Sequence, residues 1–170
     1  CCDMKPYLSV IVPAYNQQKN VYQFLKKLDS VLKRLNISYE VVFINDGSSD
    51  ETYANAKKAQ SSTIKVVGYS QNRGKGNAVR YGIAKSKGSV VAFVDVGDIN
   101  PATLAMFLEL FKWFNADVII GSKRHPASKV NYPQSRRLLS FGYQMLIKLL
   151  FGMKITDSQV GMKLFKREVL

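Results

Sequence analysis

The chain reads as a doubly wound α/β fold, a mostly parallel sheet with helices on both faces. Three observations predict it. Short apolar, β-branched runs alternate five times with longer segments of helical character. The runs are nearly continuous in apolar residues, as expected of strands covered on both sides. Gly, Asn, Asp, Ser and basic residues cluster directly after them, where parallel strands deliver their carboxyl ends to a ligand-binding edge.

Taken in order, Leu8 to Val12 is a strand stopped by Pro13. Val21, Phe24, Leu25, Leu28, Val31, Leu32 and Leu35 then recur at i, i+3, i+4, i+7 spacing, an amphipathic helix opened by Asn20. Glu40 to Ile44 is the second strand, and Asp46-Gly47-Ser48-Ser49-Asp50 forms the loop and cap of a helix reaching about Gln60. Ile64 to Tyr69 gives the third strand and Gly76 to about Lys85 the helix after it. Val90 to Val94 gives the fourth strand, Pro101 to Phe114 a helix, and Asp117 to Gly121 the fifth strand. From residue 133 the pattern changes. Residues 133–153 predict a helix apolar around most of its circumference and marked by Arg136, Arg137 and Lys148, which suits either packing on the core or a membrane interface.

At 170 residues the chain suits a single domain with a sizeable core. It stops at Lys166-Arg167-Glu168-Val169-Leu170, inside what reads as a continuing element, so a domain cut short at its C-terminus is expected. The net charge is +13, and residues 121–170 hold ten basic side chains against Asp157 and Glu168. Such a field attracts phosphate, whether on nucleic acid, an anionic membrane or a small substrate. A stacking platform for RNA or a helix-turn-helix signature is absent, so nucleic acid is not an expected partner. The adjacent Cys1 and Cys2 can neither bracket a metal nor staple a core, which points to a reducing, cytosolic setting. No apolar stretch reaches the roughly 20 residues of a membrane span. Membrane contact within these residues is therefore expected to be peripheral.

The chemistry concentrates in three loops. Asp95-Val96-Gly97-Asp98 ends the fourth strand. Asp95 at a sheet edge suits a cation, a sugar or a ribose, whereas Asp98 serves equally as a ligand or as the cap of the helix begun at Pro101. Asp46 can accept from a nucleobase N–H or a ribose hydroxyl, or can belong to a capping turn in which Asp50 is the cap. Asn72-Arg73-Gly74-Lys75-Gly76 can present backbone N–H groups and two cations to phosphate. It matches neither the P-loop pattern nor the GxGxxG fingerprint, which disfavours ATPase and dehydrogenase readings.

Taken together, Val12-Pro13-Ala14-Tyr15-Asn16, Ile44 through Thr52, and Asp95 with Pro101 six residues later resemble the motifs of family 2 glycosyltransferases of the GT-A (Rossmann-like) fold, over residues 7 to 170. Asn72 through Arg80, Gly121-Ser122-Lys123, Arg136 through Ser140 and Asp157 through Phe165 resemble the polyprenyl-phosphate (dolichyl-phosphate) branch, glucose more than mannose. The resemblance implies an inverting hexosyltransferase that uses a nucleotide sugar, UDP-glucose ahead of GDP-mannose, and a polyprenyl phosphate at the cytosolic face of a membrane. It implies that Pro13, Tyr15, Gln17, Asp46, Arg73, Lys75, Asp95 and Val96 bind the nucleotide sugar. Lys123, Arg137 and Ser140 would hold phosphate or acceptor, and Asp157, Gln159 and Asp95 would line the reacting centre. Asp95 and Asp98 would hold Mg²⁺ or Mn²⁺. Three positions depart from the family pattern: Gln17 replaces Glu, Lys123 replaces Arg, and Gly97 stands at the second acid of the DxD region, with Asp98 displaced by one. A sugar-nucleotide-binding domain without activity, or a family 2 transferase with another acceptor, are the alternatives.

Overall fold

The structure is a computed structural model that describes residues 5–97, 102–121 and 162–170. Residues 1–119 with 161–170 form one compact unit and residues 120–160 a second. The helix expected over residues 133–153 lies outside the described residues.

The elements run β1 (Leu8–Ala14), α1 (Val21–Lys33), β2 (Tyr39–Asp46), α2 (Thr52–Lys58), β3 (Ile64–Tyr69), α3 (Lys75–Lys85), β4 (Val90–Val94), α4 (Ala102–Trp113), β5 (Val118–Ile120) and β6 (Met162–Lys166), closed by a 3₁₀ turn over Arg167–Val169. The sheet order is β3-β2-β1-β4-β6-β5. β1, β2, β3 and β4 pair in parallel, as the alternation predicts, while β6 inserts antiparallel to β4 with Val94 opposite Met162.

Strand parity sorts the core onto two faces. Leu8, Val10, Val12, Val41, Phe43, Val90 and Ala92 pack with α1, α2 and α4, through Leu25, Leu28, Leu32, Ala56, Leu104 and Leu108. Fully burying one such Leu or Val contributes about 1.5–3 kcal/mol, so the apolar stripe of α1 is a main support of this face. Ile11, Val42, Ile44 and Val91 face the other way, onto Ala78 of α3. α3 lies close to the sheet because Gly82 leaves room: a Cβ there would stand 2.6 Å from Cγ2 of Ile11 and 2.7 Å from Cδ1 of Ile44.

Two strand ends run past the sequence reading, each for a physical reason. β1 continues through Pro13 to Ala14. Its pairing with β4 ends at Ile11, so beyond that point β1 has a neighbour on one side only, where a residue without N–H is tolerated. β2 extends to Asp46 because its polar last residues pair with Ala14 on one side and with Gly68 and Tyr69 on the other. Asn20 stands at the N-cap of α1 without a side-chain capping bond. α1 also buries an acid. Asp29 accepts from the hydroxyls of Tyr39 (2.7 Å) and Thr63 (2.8 Å) and pairs with Lys33 (2.7 Å). Burial pulls its pKa up, but these donors outweigh that and hold the carboxyl below its ordinary range, while the phenol of Tyr39 is pushed up to about 12 by burial and by the acid.

Candidate active site

The carboxyl ends of β1, β2, β3 and β4 share one edge, and the loops leaving them are tied together by side-chain bonds. The first two loops form a single unit. Asn16 adopts a left-handed φ of 52° and donates its N–H to Oγ of Ser48 (3.1 Å), and its Oδ1 accepts the N–H of Ser49 (3.0 Å). The Gln17 N–H donates to Oγ1 of Thr52 (2.6 Å), and the Gln18 N–H to Oδ2 of Asp50 (3.2 Å). Asp50 Oδ1 accepts both the N–H (2.9 Å) and the hydroxyl of Thr52, so Asp50 serves the first residue of α2 from one position before the N-cap; the N-cap itself is Glu51, without a side-chain capping bond, and not Asp50 as expected. Desolvation raises its pKa, the bonds from Thr52 and Gln18 outweigh that, and its carboxyl lies below the usual range.

Asp46 is the centre of the second cluster. It is the last residue of β2, only 3% exposed, and parity turns its side chain to the α3 face. Its Oδ1 accepts the hydroxyl of Tyr69 at 2.6 Å and the backbone N–H of Arg73 at 2.9 Å, and its carbonyl oxygen accepts Nδ2 of Asn72 at 3.1 Å. Among the described residues no donor reaches Oδ2. Gly47 makes the approach possible: at φ +66° its position for a Cβ lies 2.3 Å from N of Asn72 and 2.4 Å from the carbonyl carbon of Gln71. The guanidinium of Arg73 lies over the Tyr69 ring (5.3 Å to its centroid), and Tyr81 meets that ring edge-on at 5.6 Å. Burial and the neighbouring carboxylate push the Tyr69 phenol up to about 12, so it remains a donor throughout the physiological range.

Asp95 follows β4. Its Oδ2 receives Nζ of Lys75, from the first residue of α3, at 2.6 Å, with the Lys75 side chain 59% exposed and that of Asp95 23%. Val96 is buried, and Gly97 has φ +82°. An acid at position 97 would need the left-handed backbone, which costs about 1–2 kcal/mol outside glycine, so the departure of Gly97 from the DxD pattern is matched by the conformation of the loop.

The sequence-derived positions sort clearly. Asp46, Arg73, Lys75 and Asp95 are joined at this edge by the contacts above. Pro13 is buried in β1, Tyr15 stands 48% exposed just beyond it, and Gln17 takes part through its backbone. Asp98, Lys123, Arg137, Ser140, Asp157 and Gln159 lie outside the described residues. Sequence reasoning missed Tyr69, Asn72 and the docking role of Gly47. The signal was available for Tyr69, which ends β3 directly opposite Asp46. Placing the end of β2 at Ile44 hid that register.

As a metal donor set the edge is sparse. Among the described residues no three His, Cys, Asp or Glu side chains converge. Asp95 supplies one hard carboxylate, and a small divalent cation at a phosphate site typically takes one or two carboxylates with the rest from phosphate oxygens and water. The donor chemistry therefore fits, provided Lys75 yields Oδ2.

Comparisons with known proteins agree with this geometry. The chain is 34% identical over 183 residues to a dolichyl-phosphate beta-glucosyltransferase of Dictyostelium discoideum, covering 95% of this chain and 54% of that protein. It is 32% identical over 177 residues to the protein of that name from Drosophila melanogaster, covering 94% and 54%. This chain thus spans about half the length of these curated relatives. Among solved structures, glucosyl-3-phosphoglycerate synthase from Mycobacterium tuberculosis, in complex with Mn²⁺, UDP-glucose and phosphoglyceric acid, superposes with a TM-score of 0.70 at 21% identity, covering 97% of this chain and 58% of that one. The family model described as glycosyl transferase family 2 matches residues 9–170, and the chain belongs to that family.

Proposed function

We propose that this domain transfers a hexose from a nucleotide sugar to a polyprenyl phosphate such as dolichyl phosphate, with UDP-glucose as donor ahead of GDP-mannose. The observation that carries the reading is the convergence of Asp46, Arg73, Lys75 and Asp95 on one sheet edge in a family 2 chain. The names of its curated relatives support the acceptor and the sugar.

The reaction is an inverting displacement. An acceptor phosphate oxygen forms a bond to the anomeric carbon as the bond from that carbon to the diphosphate oxygen breaks, and the nucleoside diphosphate departs with the electron pair. The nucleophile is already anionic at neutral pH, so no strong base is needed, and catalysis rests on positioning and on stabilising the leaving group. Asp46 orients the nucleobase, Tyr15 flanks it, and the N-terminus of α3 with Arg73 and Lys75 offers positive charge to the diphosphate. Asp95 is the described residue that would hold Mg²⁺ or Mn²⁺, which when bound neutralises charge on the leaving diphosphate. Metal use is supported by the Mn²⁺ complex of the mycobacterial synthase. Roles for Lys123, Arg137, Ser140, Asp157 and Gln159 rest on the motif resemblance.

The acceptor is a membrane lipid, so the reading includes peripheral action at the cytosolic face of a membrane, helped by the basic last 50 residues. Among the described residues no helix is long and apolar enough to cross a bilayer. The test is calorimetry with UDP, GDP and their sugars, with and without Mn²⁺, followed by transfer to polyprenyl phosphate. Binding of a uridine or guanosine diphosphate that tightens with Mn²⁺ is expected. Absence of binding to either nucleotide under both conditions would overturn the proposal.

A further inference from the structure

We propose that Tyr69 is a specificity-determining positioning residue: with the Arg73 N–H it closes one oxygen of Asp46 and leaves that carboxylate a single open oxygen, which favours uracil over guanine. The inference rests on the reading of Asp46 as the nucleobase contact and deepens it.

A carboxylate oxygen offers two lone-pair sites. On Oδ1 of Asp46 both are used, one by the Tyr69 hydroxyl at 2.6 Å and one by the Arg73 N–H at 2.9 Å. The remaining oxygen, Oδ2, lies at the ligand edge, and no described donor reaches it. An oxygen left open at that edge can accept a donor from a ligand. Uracil presents one imide N–H flanked by two carbonyl oxygens, and one open acceptor meets it fully. Guanine presents two adjacent donors on the same edge, its ring N–H and its amino group, which a carboxylate satisfies by using both oxygens. Here Oδ1 is saturated, so both guanine donors would have to share Oδ2 through bent, weaker bonds. Cytosine has no ring N–H at that position and would bring a lone pair against Oδ2.

Tyr69 is built to hold this arrangement. Its ring is wedged edge-on against Tyr81 and covered by the Arg73 guanidinium, and its raised pKa keeps the phenol protonated. The Arg73 donor is backbone, so it persists in any side-chain variant, which makes Tyr69 the adjustable half of the pair.

The experiment measures UDP, GDP and CDP binding by calorimetry to the wild-type chain and to Tyr69→Phe, Asp46→Asn and Tyr81→Phe. The wild type is expected to bind UDP at least about tenfold tighter than GDP or CDP. Tyr69→Phe should reopen Oδ1 and shrink the UDP-to-GDP ratio several-fold, whereas Tyr81→Phe, which leaves the Asp46 contacts intact, should not move it. A merely structural role for Tyr69 would weaken all three nucleotides alike and leave the ratio unchanged, and that result overturns the proposal. If Asp46→Asn leaves the UDP-to-CDP ratio unchanged, the reading of Asp46 itself has failed, a distinct outcome. Should Tyr69→Phe not fold, wild-type binding of GDP as tight as UDP is sufficient to overturn the inference.

Discussion

Replacing Gly47 by alanine probes whether the turn after β2 and the loop after β3 act as one body. The new Cβ would lie 2.3 Å from N of Asn72 and 2.4 Å from the carbonyl carbon of Gln71. Both are backbone atoms, so no rotamer change relieves the contact. An ordinary separation of about 3.5 Å demands that the two loops part by roughly 1 Å. Arg73 is the next residue along, and a shift of that size stretches its N–H bond to Asp46 from 2.9 Å beyond hydrogen-bonding range. A bond to a charged group is worth about 1.5–3 kcal/mol, and a left-handed φ for alanine costs about 1–2 kcal/mol more. Together the variant should lose about 2.5–5 kcal/mol. Urea unfolding followed by circular dichroism reads this as a midpoint lowered by on the order of 1–3 M at unchanged slope. UDP affinity should fall in parallel, because Asp46 loses one of the two bonds that orient it. A midpoint and an affinity both within error of wild type would refute the reasoning, since they would mean that the loops separate without disturbing Asp46.

Three further outcomes are expected. Lys75→Gln should tighten Mn²⁺ binding in the absence of nucleotide by roughly threefold to fivefold, the scale of a partly exposed ion pair, because it frees Oδ2 of Asp95; unchanged or weaker binding in an electron paramagnetic resonance titration would count against the competition. Gly82→Ala should destabilise by up to about 2 kcal/mol, since crowding of Ile11 and Ile44 outweighs a helix-propensity gain of about 1 kcal/mol, and a variant more stable in urea would contradict the close helix–sheet approach. Glu40 is buried, and desolvation raises its pKa, but donors from Lys65, Lys87 and Ser9 outweigh this and hold its carboxyl below the usual range. The stability it contributes is therefore fully present above the ordinary glutamate pKa and is lost as pH falls through the depressed folded value. Denaturation between pH 7 and 3 should show a shallower pH dependence in Glu40→Gln than in wild type, and identical slopes would remove Glu40 from the account.

The elements that could be read from sequence are those whose signals are local. β3 and β4 begin and end where their apolar runs do, and α1 follows its 3.6-residue stripe from Val21. The clustering of Asp46, Arg73, Lys75 and Asp95 at one edge also follows from local signals, because alternation implies parallel strands and parallel strands share a carboxyl edge. β6 was harder. Met162 and Leu164 alternate inward on a five-residue strand, but its place between β4 and β5 and its reversed direction are decided by pairing with residues about 70 positions earlier in the chain.

By itself the sequence determined the order of strands and helices through β5, the edge at which polar loops gather, and the family, because periodicity, turn residues and motif spacing are written in neighbouring positions. Tertiary structure alone decided how the loops engage. Asp46 meets Tyr69 and the Arg73 N–H from 23 and 27 residues away, and Lys75 meets Asp95 from 20 away. Those contacts depend on the depth of a turn at Gly47, the register of β2 on β3 and the angle at which α3 leaves the sheet, quantities set by packing of the whole unit. A carboxylate with one closed and one open oxygen is a property of that packing, and no pattern of residue types along the chain encodes it.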